Sequence, residues 1–265
     1  MNVDALQELV AREGIDNWRK PGWQESGALE SVVAAHQYRV VLGLLETHLG
    51  HGTSRDVLDW GCGSGAFSYA LAIEGHRVHA TDPGVPPMEA FISNAAPGRF
   101  SFQQAVDPIQ LPYPDASFDV VLSNGCLEHV GESGGNDMRS LEETFRVLRP
   151  GGVFICCHLP SRSSYIEAIA RVIRRPLQRY FNRFVYSHNF LYTRLQVEQM
   201  ATDAGYAVVY FERYGFIPRN PLSSLPPAIR DAPRFIRGID QLDGRLTRLA
   251  PSLCQNLAWV GRKPG

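Results

Sequence analysis

Apolar residues along this chain follow two periods. From Arg55 onward, short apolar runs alternate with longer stretches in which apolar positions return every three or four residues. Runs of the first kind read as buried strands and stretches of the second kind as amphipathic helices, and their alternation is the signature of a parallel α/β sheet. The pattern predicts seven strands, at residues 56–60, 77–81 (ending at Asp82), 100–104, 118–123, 153–158, 207–214 and 256–262. A helix follows the first strand through Ala66, Phe67, Tyr69, Ala70 and Leu71. Another covers 137–148, with Met138, Leu141, Phe145 and Leu148 on one face. It stops at Arg149-Pro150-Gly151-Gly152, where proline and glycine forbid continuation. Thr193 and Gln196 have the spacing of a capping box and open a helix that ends at Gly205. Upstream, Val3, Leu6, Leu9 and Val10 share one helical face, and Val32, Ala35, Val40, Leu44 and Leu45 mark a second, longer helix. Trp18 and Trp23 flank the loop between them.

These elements divide the chain into a helical N-terminal cap (1–50), an α/β core (51–160), an insertion (161–190) and a stretch that completes the core (191–265), itself interrupted by a proline-rich insertion at 216–252. In the first insertion Ile166, Ile169, Ile173, Leu177, Tyr180 and Phe184 recur at three- and four-residue steps. Arg171, Arg174, Arg175, Arg179 and Arg183 occupy the remaining face, with Glu167 the nearby acid, and Pro176 is expected to divide two short helices. A basic amphipathic lid of this kind suits an anionic membrane surface or an anionic substrate. Tyr186, His188, Asn189 and Tyr192 follow it as polar groups for an acceptor pocket.

The formal net charge of −1 supplies no global field for nucleic acid, so none is expected as a partner. Five cysteines (Cys62, Cys126, Cys156, Cys157, Cys254) form no C-x-x-C pair, and Cys156 and Cys157 lie inside an apolar run as buried thiols. The first ten residues have neither a basic region nor an apolar core of a signal peptide, and no apolar run reaches the length of a membrane span. A reducing cytoplasmic setting is expected, with membrane contact only at the periphery.

The chemistry starts at residues 57–65, where the first strand runs into Gly61, Gly63 and Gly65. Alternating glycines let the backbone turn sharply and leave a ligand in contact with bare backbone at a helix N-terminus, where free N–H groups point outward. Gly61-x-Gly63-x-x-Ala66 also fits a dinucleotide fingerprint. Asp82, about 20 residues on at the end of the second strand, suits the hydroxyls of a ribose. These residues fit a nucleoside-bearing ligand, a dinucleotide or another nucleoside; they also fit a tight strand-to-helix turn with no ligand and Asp82 as a turn residue before Pro83-Gly84.

Three further blocks narrow the choice. Residues 106–121 (Val-Asp-Pro-Ile-Gln-Leu-Pro-Tyr-Pro-Asp-Ala-Ser-Phe-Asp-Val-Val), residues 123–130 (Ser-Asn-Gly-Cys-Leu-Glu-His-Val) and residues 147–152 (Val-Leu-Arg-Pro-Gly-Gly) follow the glycine turn in order. Together the four blocks resemble those of class I S-adenosylmethionine-dependent methyltransferases, over about residues 55–160. The resemblance implies a Rossmann-like, seven-stranded, mostly parallel sheet with helices on both faces and a helical cap, with S-adenosylmethionine as cofactor. It implies that Gly61 and Gly63 pack against the methionine part, that Asp59 orients the turn and helps bind the ammonium group, and that Asp82 holds the ribose. Asp107 would bond the adenine amino group with Val106 beside the ring, and Ser123 and Asn124 would line the methyl-donor end. Trp60 departs from the small aliphatic residue usual at its position and is expected to pack beneath the turn.

A sulfonium methyl is already electrophilic, so positioning supplies much of the catalysis and the remaining need is a base. His129, in the block at the pocket mouth, is the first candidate and His158, at the carboxyl end of the fifth strand, the second; either could instead be a structural histidine hydrogen-bonded near a strand end. Glu128 and His129 could instead hold a divalent metal, as is thought for some quinone-pathway O-methyltransferases of this fold. The expected acceptor is a small molecule or a lipid- or sugar-linked intermediate, methylated on oxygen, with carbon or nitrogen transfer open because fold does not fix the acceptor. A non-catalytic binding scaffold is the rival of another class; the intact set Asp59, Gly61, Gly63, Asp82 and Asp107 argues against it.

Overall fold

The computed structural model describes residues 31–265 except 51, 87, 108 and 178–188, and at 173–177 the backbone alone. The expected helix over residues 3–10, the Trp18–Trp23 loop and the second half of the 161–190 insertion lie outside the described residues. The N-terminal helix begins with α1 (Val32–Ala35), passes a 3-10 turn (His36–Tyr38) and continues as α2 (Arg39–Leu49). Then come β1 (Asp56–Trp60), α3 (Ala66–Ile73), β2 (Arg77–Asp82), α4 (Glu89–Ala95), β3 (Phe100–Gln104) and β4 (Phe118–Asn124). The chain goes on through α5 (Asp137–Val147), β5 (Leu148–Pro160), α6 (Tyr165–Leu177), α7 (Arg194–Asp203) and β6 (Ala207–Tyr214). It finishes with α8 (Pro227–Arg230), α9 (Pro233–Leu249) and β7 (Asn256–Arg262).

The strands form one sheet in the order β3-β2-β1-β4-β5-β7-β6. The β3–β2, β2–β1, β1–β4 and β4–β5 pairs are parallel, whereas β7 runs antiparallel to both β5 and β6. Side chains alternate across a strand, so the sheet buries two layers. Val57, Val78, Leu122 and Ile155 pack against Leu42 and Leu45 of α2 and Phe67 and Leu71 of α3. Leu58, Val121, Phe154 and Trp259 pack on the other face against Leu141 of α5 and Val197 of α7. Trp60 joins this second layer, 8% exposed, with its ring centroid 6.4 Å from that of Phe154.

One expected boundary needs correcting, and the two insertions gain detail. The helix expected to reach Leu148 stops at Val147, because Leu148 is already extended and opens β5; Pro150 disfavours the helical region for Arg149, the next residue. Helix α6 contains Pro176 and ends one residue beyond it, at Leu177. On α6 Glu167 is turned inward at 6% exposure, while Ile169 and Val172 are 48% and 75% exposed. The 216–252 insertion, read only as proline-rich, contains the 17-residue helix α9, which starts with Pro233 at its first position.

Strand order reverses between β1 and β4, and the crevice at their carboxyl ends is where sheets of this topology bind ligands.

Candidate cofactor and acceptor site

The turn after β1 is built around left-handed glycines. Gly61 has φ 72°, and a Cβ there would lie 2.4 Å from Cys126 Sγ, so no other residue fits beneath the β4 loop. Gly63 has φ 53° and a Cβ there would meet nothing within 4 Å, so its bare backbone faces open space. The Gly61 N–H donates to the Thr81 carbonyl (2.8 Å), stitching the turn to the end of β2. Asp82 completes the stitch: Oδ2 accepts from the Gly63 N–H (3.1 Å) and Oδ1 from the Gly84 N–H (2.9 Å). Each carboxylate oxygen carries a second lone pair, so these contacts leave acceptor capacity for two hydroxyls.

Asp59 is 2% exposed, and its Oδ2 accepts from the Ser68 hydroxyl of α3 at 2.6 Å. Burial pushes its carboxyl up to about 6, against the pull of the Ser68 hydrogen bond and with a further push from the Asp82 charge. Asp107 is exposed; its Oδ1 accepts from the Ile109 and Gln110 N–H groups, both at 2.7 Å, and these bonds hold its carboxyl below the usual value. Val106, beside it, is 96% exposed.

At the end of β4, Ser123 is wholly buried, and its hydroxyl has no hydrogen-bond partner among the described residues. Asn124, half-buried, reaches across to β5, where its Oδ1 lies 3.1 Å from His158 Nδ1. His158 itself has φ 58°, a left-handed conformation rare for a side chain with a Cβ, at a bulge between Cys156 and Leu159 in the β5–β7 ladder. The Tyr214 hydroxyl accepts from the His158 backbone N–H (2.8 Å) and lies 2.9 Å from its Nδ1. Tyr38 stacks on the imidazole with centroids 4.7 Å apart.

His129 sits in a 3-10 turn and pairs through Nδ1 with Glu132 Oε2 at 2.8 Å, both side chains about one-third exposed. Glu128 is buried at 3% exposure, and its Oε1 lies 3.8 Å from where a Cβ on Gly125 would stand, with His158 Cβ at 3.9 Å from the same point. Among the described residues no group of three or more His, Cys, Asp or Glu side chains is placed to hold a metal ion.

Two sets of expected site residues are therefore joined by direct contacts: Gly63 with Asp82, and Asn124 with His158. Asp107 and Val106 stand apart on an exposed loop, and His129 is engaged with its own turn. Tyr38 and Tyr214 were not read from the sequence. Neither lies in a motif, and each reaches His158 from an element distant along the chain.

Residues 58–156 match the model of the methyltransferase domain family. A probable S-adenosylmethionine-dependent methyltransferase of Mycolicibacterium smegmatis is 37% identical over 103 residues, which is 38% of this chain and 37% of that protein. The ubiquinone biosynthesis O-methyltransferase of Psychrobacter arcticus is 28% identical over 180 residues, 66% of this chain and 65% of that protein. The 1,6-didemethyltoxoflavin-N1-methyltransferase of Burkholderia thailandensis, solved with 1,6-didemethyltoxoflavin and S-adenosylhomocysteine, shares the fold at a TM-score of 0.56 and 22% identity, over 86% of this chain and 79% of that one. Residues 58–156 thus carry a methyltransferase domain, similar to that of S-adenosylmethionine-dependent methyltransferases. Between the ligands the glycine turn left open, this likeness favours S-adenosylmethionine. The chain spans less than two thirds of the length of either curated relative.

Proposed function

We propose that this protein transfers the methyl group of S-adenosylmethionine to an oxygen of a small-molecule or lipid- or sugar-linked acceptor, with His158 as the base. The carrying observation is the Asn124–His158 contact at 3.1 Å, which sets an imidazole beside the residue assigned to the methyl-donor end. The residues fit the cofactor: the Gly63 backbone is bare, and Asp82 stands beside it with acceptor capacity remaining. In this reading Gly61 and Gly63 take the methionine part, Asp59 steadies the turn and presents charge to the ammonium group, and Asp82 takes the ribose. Asp107 and Val106 take the adenine, and Ser123 and Asn124 flank the donor end. S-adenosylmethionine supplies an electrophilic methyl group when bound.

An Nδ1–H on His158 that donates to Asn124 Oδ1 puts the basic lone pair on Nε2; that atom is buried, so the acceptor's proton reaches it only once the acceptor displaces what covers the ring. His129 is the weaker candidate because its ring is tied into a part-exposed pair with Glu132. Support for oxygen comes from the 28% identity to a ubiquinone-pathway O-methyltransferase. Exposed Ile169 and Val172, with exposed Arg171 between them, support α6 as the edge that meets an anionic surface or substrate.

Titration calorimetry with S-adenosylhomocysteine tests the cofactor site. The parent should bind at micromolar strength or better, and Asp82→Ala should lose about 1.5–3 kcal/mol, roughly ten- to hundredfold. Equal binding by the variant, or tighter binding of NAD by the parent, overturns the assignment. Methyl label appearing on amines but never on hydroxyl acceptors overturns the choice of oxygen.

A further inference from the structure

We infer that Tyr214 is the positioning residue for His158, holding its backbone and its ring through one hydroxyl. The inference rests on the reading of His158 as the base. A left-handed conformation is strained for a residue with a Cβ, and it persists only where the surroundings hold it. The bulge takes residues 157 and 158 out of the ladder with β7, so the His158 N–H needs a partner other than a strand. The Tyr214 oxygen is that partner at 2.8 Å, and the same oxygen lies 2.9 Å from Nδ1. Two contacts from one atom fix both the peptide and the ring direction.

Tyr214 is 5% exposed at the carboxyl end of β6, and its ring meets the imidazole edge-on with centroids 5.5 Å apart. Burial, reinforced by the neighbouring Cys157, drives its phenol far above its ordinary value, so it stays a neutral hydroxyl at any working pH. When His158 takes a proton, Nδ1–H is shared between the Tyr214 oxygen and Asn124 Oδ1, which favours the protonated ring. Among the described residues, the titratable groups placed near the imidazole include Tyr214 on β6, Tyr38 on the N-terminal turn, Cys157 beside it on β5, and Glu128 across Gly125.

Tyr214→Phe keeps the ring and removes only the oxygen. Nitrogen-detected magnetic resonance on the protein without cofactor should show the His158 imidazole titrating at lower pH in the variant, with altered Nδ1 and Nε2 shifts. In steady-state assays kcat should fall about tenfold or more, while S-adenosylhomocysteine affinity and acceptor KM stay within about twofold. In a His158→Asn background, where asparagine tolerates the left-handed backbone, Tyr214→Phe should have no further effect on kcat. Fluorotyrosine at position 214 keeps the hydroxyl and gives a second readout in the parent fold: its fluorine resonance should move with the His158 titration. An unchanged imidazole titration and unchanged kcat in Tyr214→Phe, or a fluorine resonance blind to His158, overturn the inference. Full turnover in His158→Asn alone instead overturns the base assignment on which it rests.

Discussion

Asp59 and His158 are both held away from their ordinary states, one by burial and one by backbone strain. For Asp59 the sign of the linkage is definite. Its folded carboxyl titrates at about 6, above the ordinary value of 3.8, so the native state binds more protons than the unfolded chain between those limits. Stability therefore falls as pH rises through that window and levels off above it. For this fully buried group the difference is worth roughly 3 kcal/mol. Asp59→Asn keeps an acceptor for Ser68 and should flatten that segment of the pH–stability curve, read by urea unfolding between pH 4 and 7. An unchanged slope would place the titration elsewhere. At this scale the glycine turn and Asp82 were legible because local backbone chemistry demands them. The reason Gly61 must be bare was not, since Cys126 arrives beneath it from the far end of β4. Tyr214 was equally hidden, because an edge strand reads as apolar pattern and its terminal hydroxyl carries no motif.

All seven strands were legible as elements, and so was the Thr193–Gln196 capping box, because period and cap chemistry are local. Helix α9 was masked by the prolines around it, although Ile236, Ile239, Leu246 and Leu249 keep a helical spacing and Pro251 follows its end. Its role lies in a clasp. Asp240 of α9 accepts from His36 (3.0 Å) and pairs with Arg39 (3.2 Å) and with the buried Arg219 (2.7 Å). Ser31 bonds Ser223 at 2.9 Å, and the Val32 N–H donates to Asp231 at 3.2 Å. The N-terminal helix and the 216–252 insertion are thus stitched together beside Tyr38, which covers His158. Burial works to raise the Asp240 carboxyl, but the His36 hydrogen bond and the Arg219 and Arg39 charges hold it below its ordinary value. Its contribution to stability is therefore present at neutral pH and lost as pH falls through the carboxylate range. Asp240→Ala strands the Arg219 guanidinium and should cost about 3–5 kcal/mol at pH 7, with faster hydrogen exchange across residues 32–38. A loss below about 1 kcal/mol would mean that apolar packing alone seats the helix.

For the molecule as a whole, a net charge of −1 hides a strongly basic segment in the 161–190 insertion. Among the described residues no helix is long and apolar enough to cross a membrane. Exposed Ile169 and Val172 on α6 suit contact with a surface instead. Each arginine near an anionic surface contributes on the order of 1 kcal/mol, and salt weakens it within a Debye length. Replacing Arg171, Arg174, Arg175 and Arg179 together by glutamine should raise the apparent KM and leave cofactor affinity unchanged. Sedimentation with anionic and neutral vesicles at two salt concentrations separates a membrane from a soluble anionic substrate. Equal KM without vesicle binding by either form would reduce the lid to a solvated cover. The sequence by itself determined the class of fold, the succession of strands and the glycine–acid frame for the nucleoside, because period, turn chemistry and cap spacing act within a few residues of chain. Only the tertiary structure decided that Asn124 meets His158, that a strained bulge is held by Tyr214, and that the N-terminal helix is clasped to a late insertion. Those pairings join residues 34 to 204 positions apart, and no local pattern encodes them.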